Sequence, residues 1–532
     1  MKAIILALCC LTSISPCWAK MLTVQEEVQL FKKNPKRYIT QKPKKYSLKI
    51  RPSRTNYRPY SQIKKSNFVQ QKINNRKAIQ DRSLQDPPDL GLFSEYQAND
   101  NFKNLVDNKN PLKSLKQIDS AHLQSSQLVT SPWSGHYWPY YMGTLSARYF
   151  DRDFYQIENW NELTQYIKEH SFKDIYAEKN SEKINRLSVA EKIDLYLNPE
   201  ASQFSTYLWA QSQGIFDDKG EIEAWMGLCH GWAPGSFMVP RPKHIVQLTA
   251  ADGITPIVFY PDEIKGLVTY VWANSAYETR YIGGRCNKAD PEVDENGRII
   301  EPSCNDTNPA TWHLSVVNQI GVAKRSFVMD ATYDLEVWNQ PVLAYQYNYF
   351  NPNTSEGFSE YQDAVINLSD YQDNPFKTRS EKAKKIVGVS MLVGYVSENQ
   401  VEPAVEDSPD RDEVVWVQYL YDLELDDHDN VVGGEWYTNF HPDFLWVPAV
   451  NAKAYNYFDI VADLTNWMPN QPLSPDIRNI MTQATRYGGL LGRFVEKLVN
   501  LSQGEELPEE AGLREFPLER LRRDLLPLDR IQ

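Results

Sequence analysis

The stretch Gly227-Leu-Cys-His-Gly-Trp-Ala-Pro234 sets a cysteine directly before a histidine in a chain of 532 residues. Such a pair could ligate a metal, join a nucleophile to its own base, or fill a core turn. Structural zinc wants several Cys or His at short spacings, and the next cysteines, Cys286 and Cys304, lie 57 and 75 positions on. Haem attachment needs C-x-x-C-H, which is absent, so no metal site is expected at this pair. Neighbouring residues on a helix point about 100° apart, so His230 is badly placed to take the Cys229 proton. Of the eight histidines, His122, His170, His244 and His428 stand in polar surroundings, His136 in an aromatic turn and His441 before Pro442. His313 lies in Thr311-Trp-His-Leu-Ser-Val-Val-Asn-Gln-Ile-Gly321, and a second short apolar run ends in Asp330. Read as antiparallel strands joined near Gly321, the two runs set imidazole and carboxylate side by side, as a thiol nucleophile requires. Asp334 competes with Asp330 for the carboxylate role, and the bland reading of Cys229 is a buried inert thiol.

These residues need elements to carry them. Pro234 is tolerated only in a first helical turn, so a helix should start at Cys229 to Trp232, setting the sulfur at the positive end of the helix dipole where a thiolate is favoured. Val414 to Tyr421 and Ser326 to Asp330 read as further strands, whereas Ser188–Leu197, opening on a capping box, and Pro261–Ala273 read as helices. The sum is an α+β body. Hydrophobic residues make up 42% and aromatics 12%, with 14 Trp and 31 Tyr, which excludes whole-chain disorder and suits a cleft lined with flat side chains. The run Asp426-Asp-His-Asp-Asn430 lacks the Gly and Glu of an EF-hand and reads as a hairpin turn.

The termini read differently. Residues 1–19 have the lysine, the apolar run and the final small residue of an export signal peptide, and no later segment offers about 20 consecutive apolar residues. Cleavage leaves three cysteines; Cys286 and Cys304 bracket one polar loop and are expected to pair as a disulfide, leaving Cys229 free. From Lys20 to Arg82 there are 18 Lys or Arg against three acids, whereas the whole chain carries −12. We read residues 20–120 as a basic, mostly disordered arm or pro-segment: first a solvated linker, then a propeptide across the acidic body, last a contact with anionic lipid or nucleic acid. Residues 121–473 are the expected catalytic domain. A helical C-terminal extension follows at 474–532, with one or two amphipathic helices between Asp476 and Leu501.

The blocks WSGHYWPYYMGTLSARY (Trp133–Tyr149), CHGWAP, TWHLSVVNQIG, DATYDLEVWNQPV (Asp330–Val342) and GGEWYTNFHPDFLW (Gly433–Trp446) resemble, in order, the transglutaminase elicitor family of secreted transglutaminases. The resemblance covers about residues 123 to 470, and VWNQPV resembles the surface segment for which the family is called an elicitor. It implies a papain-like, transglutaminase-like fold with the catalytic cysteine at a helix N-terminus packed on an antiparallel sheet. It also implies Cys229 as nucleophile, His313 as general base and Asp330 as the orienting carboxylate, forming glutamine–lysine isopeptide bonds or deamidating glutamine. Trp225 or Trp232 would wall the cleft, with backbone N–H groups of the helix start holding the oxyanion. No cofactor is required by the residues; calcium comes only with the family. The implied partners are substrates, proteins bearing glutamine and lysine or small primary amines, with no nucleic acid; the enzyme itself is expected to be a monomer, exported to the periplasm or the cell exterior. A thiol peptidase and a non-enzymatic surface protein remain the alternatives.

Overall fold

The computed structural model describes residues 23–42, 45–47, 100–284, 291–295, 297, 299–300, 307–331, 337–376, 379–462, 464, 467 and 472–504. The expected signal peptide, the Cys286–Cys304 pairing, Asp334 and residues 505–532 lie outside them.

An antiparallel sheet is the frame. Its principal strands are β1 (Lys45–Ser47), β2 (Thr279–Gly283), β3 (Val328–Asp330), β4 (Asn339–Phe350), β5 (Lys385–Ser397), β6 (Glu413–Leu425), β7 (Val431–Trp436) and β8 (Phe444–Pro448). They run in the order β1-β6-β5-β4-β3-β8-β2, with β7 paired to β6. The long central strands are rich in Val and Tyr, residues that suit a pleated surface covered by other elements. Between β6 and β7 the Asp426 carboxylate accepts the backbone N–H groups of His428 and Asn430 at 2.8 and 2.9 Å, the hairpin turn expected there.

The helices are α1 (Val24–Lys33), α2 (Pro35–Ile39), α3 (Val189–Leu197), α4 (Gln203–Lys219), α5 (Cys229–Met238), α6 (Pro261–Asn274), α7 (Pro309–Val316), α8 (Pro475–Arg486) and α9 (Gly492–Ser502). Ser188 and Glu191 close the capping box expected on α3. Helix α5 begins at Cys229, with Pro234 inside it. Helix α5 packs on β4 and against α6, which in turn meets α9. Phe494, Val495, Leu498 and Val499 of α9 are buried, so the expected amphipathic C-terminal stretch is a pair of helices, the second of which helps build the main core.

Two expectations change. His313 is on α7, not on a strand: Asn308 caps that helix through Ala310 N and Pro309 takes its first turn, a start signal that outweighs the alternating pattern of TWHLSVV. The chain then runs through a π-helical turn, Val317–Val322, before β3. Part of the basic arm is also folded. Val28, Phe31, Tyr38 and Ile39 of α1 and α2 bury against Phe350, Phe376, Leu420 and Tyr437, with Phe31 stacked on Tyr437 at 4.2 Å. Apolar residues spaced along these helices outweigh the lysines, which stay on the outer side. Among the described residues no helix is long and apolar enough to cross a membrane.

A Cβ added at Gly231 would sit 2.1 Å from the Thr269 carbonyl oxygen of α6, whereas one at Gly214 of α4 would meet nothing within 4 Å. Gly231→Ala should therefore lower stability to urea by about 2–3 kcal/mol, through forced separation of α5 and α6. Gly214→Ala should be neutral or stabilising by about 0.5–1 kcal/mol. Equal responses in the two variants would show that the helix contact is not tight.

Candidate active site

The segment around Trp133–Pro139 braces the start of α5. Leu228 N donates to the Tyr137 carbonyl at 2.6 Å, Trp232 Nε1 to the Trp133 carbonyl at 3.2 Å, and Trp133 N to the Ser236 carbonyl at 3.3 Å. Gly227 is needed for this approach, since a Cβ there would lie 2.5 Å from Tyr137 O. The helix start is thus clamped by backbone, and Cys229 inherits that fixed position. His230, exposed, takes no part.

Cys229 is only 5% exposed and faces Val337 and Asn339, where β4 begins. Its thiol donates to the Val337 carbonyl oxygen at 3.7 Å, and the Asn339 side-chain amide donates to the sulfur at 3.5 Å. Trp338 N donates to Asp330 Oδ1 at 3.1 Å. The Val337 carbonyl and the Trp338 N–H belong to one peptide group, so a single amide plane lies between thiol and carboxylate. Asp330 and Asn339 face each other across the β3–β4 ladder, which fixes the carboxylate, the amide and the thiol relative to one another. Asn339 is held from behind by Trp446 of β8, whose Nε1 donates to Asn339 Oδ1 at 2.9 Å.

The electrostatics reverse one expectation. Burial pushes the Cys229 thiol up to about 11; hydrogen bonds from Asn339 pull it down, and the charges of Glu398 and Asp330 push it up again. The helix N-terminus favours a thiolate, but the partial charge there is small beside the desolvation of a sulfur enclosed by Val337 and Asn339. In this closed arrangement the sulfur rests as a thiol. Glu398, which follows β5, is held by Gln340 Nε2 at 2.6 Å.

The structure brings Cys229 and Asp330 together and leaves His313 elsewhere. His313 is fully buried, its Nδ1 2.9 Å from the Tyr421 hydroxyl and its ring edge-to-face with Tyr347 at 4.8 Å. Burial holds it neutral, its pKa lowered to about 3. Tyr347 lies eight residues along β4 from Asn339, roughly 25 Å of extended strand at the usual rise. His313 therefore does not face the sulfur, and its role as base is not supported by geometry. Trp232 is fully buried beneath Gly135 and Trp133, so it is core and not a cleft wall. Trp225 packs in a cluster with Ile215, Met226 and Trp338, and Tyr137 meets Trp338 at 5.1 Å; this aromatic group flanks the start of β4. Sequence reasoning missed Asn339, Trp446 and Glu398. Asn339 sits one residue beyond Trp338 in the quoted VWNQPV run, and the strand alternation beginning there was its only local signal.

A buried cysteine at the head of a helix, laid on an antiparallel sheet with a carboxylate and an amide on adjoining strands, defines a class of α+β protein built around one thiol. Within that class the chain belongs to the transglutaminase elicitor family, which it matches over residues 110–461. Among solved structures, the GP42 transglutaminase from Phytophthora sojae is similar at 20% identity over 74% of this chain and 94% of that one, with a TM-score of 0.45. No curated protein matches.

Because the thiol rests protonated, its alkylation by iodoacetamide, followed at Cys229 by peptide mapping, should be slow at pH 7 and rise about tenfold per pH unit to at least pH 10. A plateau near pH 8 would contradict the enclosed thiol.

Proposed function

We propose that the chain is a protein-glutamine γ-glutamyltransferase in which Cys229 is the nucleophile and Asp330 the group that carries its proton. The observation that supports this most directly is the Val337–Trp338 peptide, gripped at its oxygen by the thiol and at its N–H by Asp330. A glutamine side-chain carboxamide presents the same two ends. When the Val337–Trp338 peptide yields its place to that carboxamide, the substrate N–H₂ lies on Asp330 and the carbonyl carbon near the sulfur.

The steps then follow from the groups present. The thiol proton passes to Asp330 as sulfur attacks the carbonyl carbon, forming a C–S bond and an oxyanion. The N–H groups of Cys229 and His230, ahead of the first helical bonds from Gly231 and Trp232 to the Leu228 carbonyl, are the donors for that oxyanion. Collapse breaks the C–N bond; the proton on Asp330 goes to the leaving nitrogen, and ammonia departs. A lysine amine attacks the resulting thioester, its proton returns through Asp330 to sulfur, and an isopeptide is released. Water in place of the amine gives glutamate. An acid and base in one carboxylate is reasonable here, because a neutral carboxyl in a dry site can donate as well as accept. Export from the cell, implied by the first nineteen residues and in keeping with the family, belongs to the same proposal.

The test is incorporation of a fluorescent primary amine into a glutamine-bearing casein by the full-length protein. Cys229→Ala should abolish labelling, and Asp330→Asn should reduce it by about 10²–10⁴-fold. His313→Gln, far from the sulfur, should label within a few-fold of wild type at 20 °C. Clipped casein without label would assign the chain to the thiol peptidases, and neither product would leave a binding protein. Full labelling by Asp330→Asn would remove the carboxylate from the mechanism.

A further inference from the structure

We propose that Trp446 is a positioning residue: by donating to the carbonyl oxygen of Asn339 it fixes that amide so that its N–H₂ edge is turned to the Cys229 sulfur. The inference rests on the reading of Cys229 as nucleophile. A primary amide has two ends of nearly equal shape, one accepting and one donating, and a free Asn can present either. An indole nitrogen can only donate. Trp446 Nε1, 2.9 Å from Asn339, therefore forces the oxygen end toward itself and the amino end toward the sulfur 3.5 Å away. The tryptophan is in register to do this, because β8 pairs with β3 through Trp446 and Val328 while β3 pairs with β4 through Asp330 and Asn339.

The orientation matters because of what else faces the sulfur. Asp330 from β3 and Glu398 from beyond β5 both oppose negative charge there, while Val337 presents a carbonyl oxygen; His230 on the cysteine's own helix is exposed. Asn339, through its backbone and side chain, supplies the donors that favour the thiolate. Were the amide to flip, its oxygen would meet the sulfur as another electron-rich neighbour, and the thiolate would lose one of its supports. Trp446 thus acts on the nucleophile through Asn339 without touching it, and it works on three adjoining strands at once.

The experiment is the pH dependence of iodoacetamide alkylation at Cys229 in the full-length protein between pH 6 and 10. Trp446→Phe keeps a ring in place but removes the donor; alkylation should fall roughly tenfold at every pH, as for a thiol whose pKa has risen by about one unit. Asn339→Asp keeps the acceptor for the indole but removes the donor to sulfur, so it should slow alkylation at least as much. In that background Trp446→Phe should add little, the non-additivity expected of residues acting in series. A Trp446→Phe profile superimposed on wild type, or an undiminished effect in the Asn339→Asp background, overturns the proposal. If Trp446→Phe does not fold, indole ¹⁵N–¹H spectra of the wild type serve instead: one indole signal should move as Cys229 titrates and stay still in Cys229→Ser, and no such signal sinks the idea. The alkylation readout does not depend on turnover. Absence of amine incorporation with the tenfold shift intact would reject the enzymatic reading alone, and normal incorporation with no shift would reject the positioning role alone.

Discussion

The missing side chain of Gly231 is the constraint on which the site depends. Without it α5 can rest against the backbone of α6, so close that a methyl would lie 2.1 Å from Thr269 O and 2.6 Å from Ala273 Cβ. Helix α6 is itself immobilised by buried ions. Lys265 Nζ reaches Asp262 at 3.2 Å, Asp407 at 3.0 Å and the Ser134 carbonyl at 2.8 Å, and Asp407 also takes Arg241 and Arg411. Burying so many charges carries a large desolvation cost, which multiple partners and well-aligned hydrogen bonds can offset. The network ties α6 to the segment holding Ser134, the same segment that clamps the start of α5. Position is passed from ions to helix, from helix to glycine contact, and from there to the sulfur.

Two opposing influences meet at that sulfur. The helix start and the Asn339 donors favour a charged sulfur; enclosure and two carboxylates disfavour it. Enclosure wins, since the Val337–Trp338 peptide lies against the sulfur and burial is the largest influence on it. The same peptide group presents its oxygen to the thiol and its N–H to Asp330, so one amide links the two side chains.

The framework was legible where local chemistry spoke clearly. The start of α5 at Cys229 falls at the edge of the range Cys229 to Trp232 expected from Pro234, which lies inside the helix and not in its first turn; Ser188 and Glu191 announced α3, and the β6–β7 turn followed from its aspartates. His313 was misread because TWHLSVV alternates like a strand, while the stronger Asn308-Pro309 start makes it a helix whose histidine turns to Tyr347 and Tyr421. The basic arm hid two short docked helices behind its lysines, since charge describes the outer side and not the Phe31 and Ile39 beneath. Asn339 and Trp446 were invisible for another reason: their meeting depends on which strands adjoin in the sheet, and β8 is drawn beside β3 across more than a hundred residues of chain.

The enclosure of Cys229 has a consequence for redox chemistry. Peroxides and disulfides react with the thiolate, and a thiol at about 11 is ionised in roughly one molecule in ten thousand at pH 7. While the Val337–Trp338 peptide covers it, Cys229 is therefore slow to react with such oxidants.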